Sequence, residues 1–573
     1  MTVLDPAART GADAALRWAS MPMIWDWKVS PDGRQVAWSW SGTGEGFDIY
    51  VAPTDGSAAP TRLTRSSQFA MPRGWSPDGR ALILGIPTDG DDRERLYRLP
   101  IDRPDGMTLL TDAAPDYFTI GGEMHENGRW LVYAASRDPE TGGASELHAL
   151  YRHDLETGER RVLARYRLGD EAAPEIDRDG RTVLYHRAAA TAGGIELWLA
   201  DLDGTADRRL LSLGDRTRIA GSWMPDGKAV LFLASSDTHE RVGLCHLPEG
   251  RVEWLVDDAA RFVERALPDR DGRGIMLVEI EDARLRACWL DLATRSETPI
   301  AAQSGTLMPL APLPGGDWIG LAYSSTQPHE LVRFSVAARG RDARRLSRTA
   351  VIPPTPPLSF AAAGDYRWRS ADGLPVQGWL YHPQGAAKGT VIWVHGGPTW
   401  HSEDEANAAI QYLVGEGFAV LDVNYRGSTG FGTAYREAIK IDGWGGREQA
   451  DIRAGIEALV ADGIAAPGRI GIIGVSYGGY SSWFAATRWP DLIAAAVPIC
   501  GMTDLAIDYA ATHMPHGRLY SEEMMGGTPA AAAERYRERS PIHAVGNIRG
   551  RLLVVHGLTD TNVSPANTEH GCK

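Results

Sequence analysis

Four cysteines in 573 residues, Cys245, Cys288, Cys500 and Cys572, stand without CxxC spacing. That scarcity argues against a disulfide framework or a structural zinc motif and for reduced thiols. The chain also lacks an uninterrupted apolar run of membrane-spanning length, so no membrane partner is expected. Its N-terminus, "MTVLDPAARTGADAALRWAS", has no basic segment followed by an apolar one, which excludes a secretory signal of the usual form and makes the cytoplasm the expected compartment. Lys and Arg are nowhere clustered and the formal net charge is −15, which argues against nucleic acid as a partner. No low-complexity tract is present, and 43% hydrophobic with 23% charged residues is the composition of a globular protein. The length suggests two to four domains.

What is present first is a repeat. "SPDGRQVAWSW" from Ser30 returns as "SPDGRALILGI" from Ser76, "HENGRWLVYAA" from His125, "DRDGRTVLYH" from Asp177, "MPDGKAVLFLA" from Met224, "DRDGRGIMLVE" from Asp269 and, degenerately, "LPGGDWIGLAY" from Leu313. Each is a turn feeding an alternating apolar strand. The turn glycines, Gly33, Gly79, Gly128, Gly180, Gly227, Gly272 and Gly316, are 46, 49, 52, 47, 45 and 44 residues apart. Second hairpin signals lie between them, such as "DLETGERRVL", "DLDGTADRRL" and "LPEGRVEWLV", so each unit predicts a four-stranded sheet. Seven such sheets cannot bury their faces alone but cover one another when packed radially, as in a β-propeller. A linear β-solenoid is the rival, and its repeats are usually shorter than ~40 residues. The turn acids are read as structural rather than as calcium ligands, since no turn gathers a dense oxygen set, and no metal or cofactor is expected.

The domain reading is an N-terminal segment 1–21, a seven-bladed propeller 22–348, a proline-rich linker 349–362 around "VIPPTPPLSF", and an α/β domain 363–573. In the last, apolar strands "TVIWVHGG", "FAVLDVNYRG", "RIGIIGVS", "AAAVPICG" and "RLLVVHG" alternate with amphipathic helices. One of these helices puts Ile452, Ile456, Leu459 and Val460 on one face. Such alternation predicts a mostly parallel sheet with helices on both sides.

"GIIGVSYGGY" then carries the chemistry. A G-x-S-x-G directly after a strand and before a helix presents Ser476 on a sharp turn, with its hydroxyl above the sheet, as an acyl-transfer nucleophile. Such a serine needs donors for the developing oxyanion. The backbone amides of Tyr477 and of Gly397, in "WVHGGPTW", are the candidates. Chain order predicts an acid next, and Asp560, after the strand "RLLVVHG", is the candidate, with Asp504 as a structural or pocket-forming competitor. Tyr477, Trp483, Met524 and Met525 could line an apolar pocket, although core packing is the commoner fate of such residues.

The propeller repeat followed by "HGGP", "NYRGSTGFG", "DGWGGREQADI", "GVSYGGY", "YRERSPI" and "VHGLTDTNV" resembles the prolyl oligopeptidase family of serine peptidases, most closely its acylaminoacyl-peptidase-like branch. The resemblance implies an α/β-hydrolase domain and an acyl-enzyme on Ser476. It implies Asp560 as triad acid and oxyanion donors at Gly397 and Tyr477. Short peptides would be the substrates, with access filtered by the propeller, and a homo-oligomer is possible in the family. A dipeptidyl-peptidase type is one alternative. The adjacent glutamates such enzymes carry in the propeller are missing, Glu522-Glu523 in the hydrolase domain being the only such pair. A small-substrate esterase and a catalytically silent propeller that binds partners are the others. The resemblance also implies a histidine roughly thirty or more residues beyond the acid, after one more helix and strand. Thirteen residues follow Asp560. "SPANTEHGCK" is therefore expected to open a helix that is cut short, with His570 carried on it toward solvent and away from Ser476. The catalytic histidine stays unassigned.

Overall fold

The structure is a computed structural model and describes residues 15–41, 46–65, 68–87, 93–170, 172–189, 193–347, 358–512 and 517–572. The first fourteen residues of the N-terminal segment and residues 349–357 of the expected linker lie outside them.

Seven four-stranded antiparallel sheets occupy 24–62, 71–109, 119–166, 175–211, 218–257, 263–300 and 306–345, each pairing its strands in chain order. The repeat predicted this because its turn chemistry is local. In the first blade Ser30 Oγ donates to Asp32 Oδ1 at 2.6 Å and accepts from the Gln35 amide at 2.9 Å, while Gly33 takes φ 74°. The second blade repeats the arrangement with Ser76, Asp78 and Gly79 at φ 68°. A side chain at those glycines would have to enter the left-handed region, which only glycine visits at little strain. The ring closes by packing rather than by a shared strand. Val36, Trp38 and Trp40 of the first blade form one core cluster with Ile319, Leu321 and Leu331 of the seventh.

The C-terminal domain is built on a seven-stranded sheet. Its strands are β1 (Ala363–Arg369), β2 (Pro375–Tyr381), β3 (Thr390–Val394), β4 (Ala419–Asn424), β5 (Ile470–Val475), β6 (Ala495–Ile499) and β7 (Arg551–Leu552), in the order β1-β2-β4-β3-β5-β6-β7. The β1-β2 and β2-β4 pairs are antiparallel and the rest parallel. Helices α1 (Ala408–Gly415), α2 (Thr433–Asp442), α3 (Arg447–Ala461), α4 (Tyr477–Arg488), α5 (Leu505–Ala511), α6 (Gly517–Met525), α7 (Ala533–Arg539) and α8 (Ala566–Gly571) surround it. As the periodicity predicts, α3 buries Ile452, Ile456 and Leu459 completely, with Val460 partly buried beside them. The "NYRG" arginine is part of the frame: Arg426 is buried and forks onto Asp451 of α3 at 2.8 and 2.6 Å, with Asp372 on its other side at 2.8 Å.

One strand departs from expectation. "RLLVVHG" is laddered only at Arg551–Leu552, with a single further bridge from Val555 to Ile499. Among the described residues nothing pairs with its outer side, and Leu553 and Val555 are 60% and 45% exposed.

The two domains meet through polar contacts. Thr433 Oγ1 donates to Glu240 Oε2 at 2.9 Å, Arg436 donates to the Ser236 carbonyl at 2.7 Å, and Tyr323 OH donates to Glu403 at 2.7 Å.

Candidate active site

Ser476 sits between β5 and α4 at φ 56°, ψ −116°, a left-handed conformation that a serine adopts only where its surroundings enforce it. Its amide donates to the Ile499 carbonyl of β6 at 2.9 Å, and its carbonyl accepts from Tyr480 in the first turn of α4 at 2.9 Å. The neighbouring glycines are required by crowding. A Cβ on Gly474 or Gly478 would run into the Val394 carbonyl of β3, and one on Gly479 into that of Ile499. The motif is thus a helix pressed onto two strand ends, with the serine facing the interdomain cavity.

The serine opens into a cavity of about 850 Å³ between propeller and hydrolase domain. Gly397 and Met524 line it from the hydrolase side, and Arg218 and Glu264 from the propeller side. Gly397 is at φ 111°, and a Cβ on Gly396 would stand 3.4 Å from Ser476 Cβ, so the "HGGP" turn passes directly against Ser476. His395 of that turn is not a base. It is buried, stacks on Tyr425 with ring centroids 4.4 Å apart, and bonds Ser428 Oγ at 2.9 Å; burial holds it neutral down to about 3.

Beneath the elbow lies a buried carboxyl. Glu448 accepts from Tyr477 OH at 3.0 Å and from the Gly446 amide at 2.9 Å, and burial raises its pKa to about 7 against those hydrogen bonds. The Tyr477 side chain is consequently committed to the core, as are Trp483 and Met525; of the apolar-pocket candidates only Met524 lines the cavity. Asp504 caps α5, accepting from Ala506 and Ile507 at 2.9 and 3.2 Å, a structural task.

Asp560 stands in the turn after the β7 segment. Its Oδ1 accepts from the Asn562 and Val563 amides at 3.0 and 2.9 Å. Burial by itself would raise its pKa, but His556, the two amides and the Cys500 thiol outweigh this and hold the carboxyl below the usual carboxylate range. The histidine touching Asp560 is therefore His556, with Nε2 at 3.5 Å from Oδ2, and not His570. His556 spends its nitrogens on the Val563 carbonyl at 2.8 Å and Thr568 Oγ1 at 2.6 Å. His570 is exposed on α8. Among the described residues no histidine lines the cavity that holds Ser476. Sequence reading passed over His556 because it lies only four residues before Asp560, a spacing that says nothing until the turn is folded.

Residues 405–572 match the prolyl oligopeptidase family model. The hydrolase domain belongs to the prolyl oligopeptidase family. It is accordingly a serine hydrolase domain of the peptidase type. Along its length the chain is similar to dipeptidyl aminopeptidase BIII of Pseudoxanthomonas mexicana, 24% identical over 568 residues, which is 95% of this chain and 80% of that protein. In fold it is similar to a Mycobacterium tuberculosis puromycin-hydrolyzing peptidase, with TM-score 0.80 and 22% identity over 98% of this chain and 89% of that one. The acylaminoacyl peptidase of Pyrococcus horikoshii aligns with TM-score 0.73 and 19% identity over 97% and 89% of the two chains. The fold shared with these two structures is the propeller plus hydrolase arrangement that the repeat and the strand–helix alternation predict.

Proposed function

We propose that the protein hydrolyses short peptides, of acylaminoacyl or oligopeptidase type, through an acyl-enzyme on Ser476. The observation that carries this reading is the strained elbow holding Ser476 at the floor of an interdomain cavity, which a folded protein substrate is too large to enter. The Ser476 hydroxyl attacks the scissile carbonyl, the amides of Tyr477 and Gly397 take the oxyanion, and the amine leaves with a proton delivered by an imidazole. Asp560, ionised throughout the neutral range, orients that imidazole. The described residues place no imidazole against Ser476, so the rate of the chain turns on that one group. The four unpaired cysteines are in keeping with a cytoplasmic setting.

A second reading, recognition of a free amine, rests on Glu264. This carboxylate projects into the cavity from the sixth blade with no hydrogen-bond or ion-pair partner among the described residues, whereas Glu523 and Glu437 are engaged by Lys440. An unpaired carboxylate in a cleft is matched by an ammonium group. Turnover of acetyl-Ala, free Ala-Pro and simple ester chromogenic substrates separates the readings. All turnover is expected to vanish in Ser476→Ala. Preference for the acetylated substrate, unchanged in Glu264→Gln, supports the acylaminoacyl reading; a preference for the free dipeptide that Glu264→Gln removes establishes the amine reading, and turnover surviving Ser476→Ala refutes both.

A further inference from the structure

We infer that Cys500, His556 and Asp560 form a binding site for a zinc-like divalent cation, whose occupation takes Asp560 out of the catalytic arrangement. The three come from separate pieces of chain: Cys500 follows β6, His556 follows the β7 segment, and Asp560 lies in the next turn. One ligand atom from each nevertheless lies within 4.8 Å of the other two. His556 Nε2 and Asp560 Oδ2 are 3.5 Å apart. A nitrogen and an oxygen sharing a tetrahedral zinc, each at about 2.0–2.2 Å, stand about 3.3–3.6 Å apart, so this pair needs almost no movement.

The chemistry of the donors agrees with the distance. A thiolate, an imidazole and a carboxylate are a borderline-soft set suited to zinc rather than to magnesium or calcium, and two negative charges against a divalent ion leave the site neutral. The backbone holds the sulfur in place, since Cys500 is at φ 48° with its amide bonded to the Val555 carbonyl at 2.8 Å. The imidazole has its outer partner ready. Thr568 Oγ1 lies 2.6 Å from Nδ1 and can accept the ring proton, freeing the Nε2 lone pair for a metal. Asn562 and Val563, two and three residues after Asp560, line the interdomain cavity and give an ion a way in. In the metal-free protein the Cys500 thiol faces Asp560 within 4.8 Å, and Nε2–H donates to the Val563 carbonyl. Binding forms metal–sulfur, metal–nitrogen and metal–oxygen bonds, moves the ring proton from Nε2 to Nδ1 through solvent, and releases the thiol proton. The sequence offered no hint of the site because its ligands share no motif and meet only at the sheet edge.

The inhibitory consequence, though not the binding, rests on the reading of Asp560 as the catalytic acid. The test titrates chelator-treated protein with Co²⁺, then Zn²⁺. About one equivalent of Co²⁺ is expected to give a thiolate-to-metal charge-transfer band, displaced by Zn²⁺ and absent from Cys500→Ser. Zn²⁺ affinity, by competition with a chromophoric chelator, is expected to fall at least ~10-fold in Cys500→Ser and in His556→Gln, and to persist in Cys572→Ser, whose exposed thiol lies outside the cluster. Metal-free melting curves matched to the parent exclude misfolding of the variants. A band or an affinity that survives Cys500→Ser overturns the site, as does the absence of any thiolate band in the parent. With imidazole added to serve as the base that Asp560 orients, Zn²⁺ is also expected to slow fluorophosphonate labelling of Ser476 in the parent and not in Cys500→Ser. Binding through Cys500 with unchanged labelling leaves the site standing and refutes the role of Asp560.

Discussion

The two sides of the interdomain cleft are built differently. On one side Ser476 is fixed by contacts that leave no freedom: Gly474 and Gly478 pack on the Val394 carbonyl, Gly479 on that of Ile499, and Tyr477 and Tyr480 are buried beneath. On the other, Asp560 is held by two turn amides at the rim of a sheet whose last segment exposes Leu553, Val555 and Leu558. Ser476, the proposed nucleophile, is positioned by the interior of the fold, where a displaced atom meets another atom. Asp560, the proposed acid, is positioned by local hydrogen bonds, where it meets solvent. Substitutions should therefore be felt through folding on the first side and through chemistry or ion binding on the second.

The largest effect is expected from Gly478→Ala. One added methyl on the elbow has no room, so stability should fall by about 3 kcal/mol or more, read as a lowered melting temperature together with loss of activity. If this variant melts like the parent, the elbow is not constrained in the way described.

A smaller effect on the same side is pH-dependent. Glu448 has a folded pKa of about 7, raised by burial, against an unfolded value near the ordinary 4.5. The native state therefore holds its proton more tightly than the unfolded state. The stabilisation this gives is complete below about pH 4.5 and is lost as pH rises through about 7. Glu448→Gln should flatten the stability profile between those limits, and a denaturation series across them that is as steep in the variant as in the parent contradicts the assignment.

At the other rim the expectation is near silence. Leu558 is 91% exposed, and Leu558→Ser should change stability by less than about 0.5 kcal/mol. A larger loss in denaturant melts would show that this edge is held by more than local bonds.

The same contrast explains what could be read in advance. Seven blades were legible because each turn is a local device closed by a glycine three residues after its first position, with a serine and an acid joining it in the first two blades. The elbow was legible because its glycines are spaced by the collision they avoid. Asp560 was legible as a position after a strand, whereas its neighbours Cys500 and His556 were not, since they lie 60 and 4 residues away in sequence and meet it only in three dimensions. The Glu264 carboxylate likewise stands in an ordinary strand, "RFVERALP", and gains meaning only from the cavity it faces. The apolar-pocket candidates split as burial dictates: Tyr477 and Trp483 had no polar signal to show that the core would claim them, and Met524 alone reached the cavity.

The central claim, that Ser476 is an activated nucleophile in a preformed oxyanion site, is tested most directly by fluorophosphonate labelling with the modified peptide mapped by mass spectrometry. An oxyanion site and binding alone retain a rate roughly 10³–10⁴-fold above water. Labelling is therefore expected at Ser476, accelerated by added imidazole because no described histidine faces the serine, and absent from Ser476→Ala. Labelling at another residue, or labelling that Ser476→Ala leaves unchanged, would contradict the account.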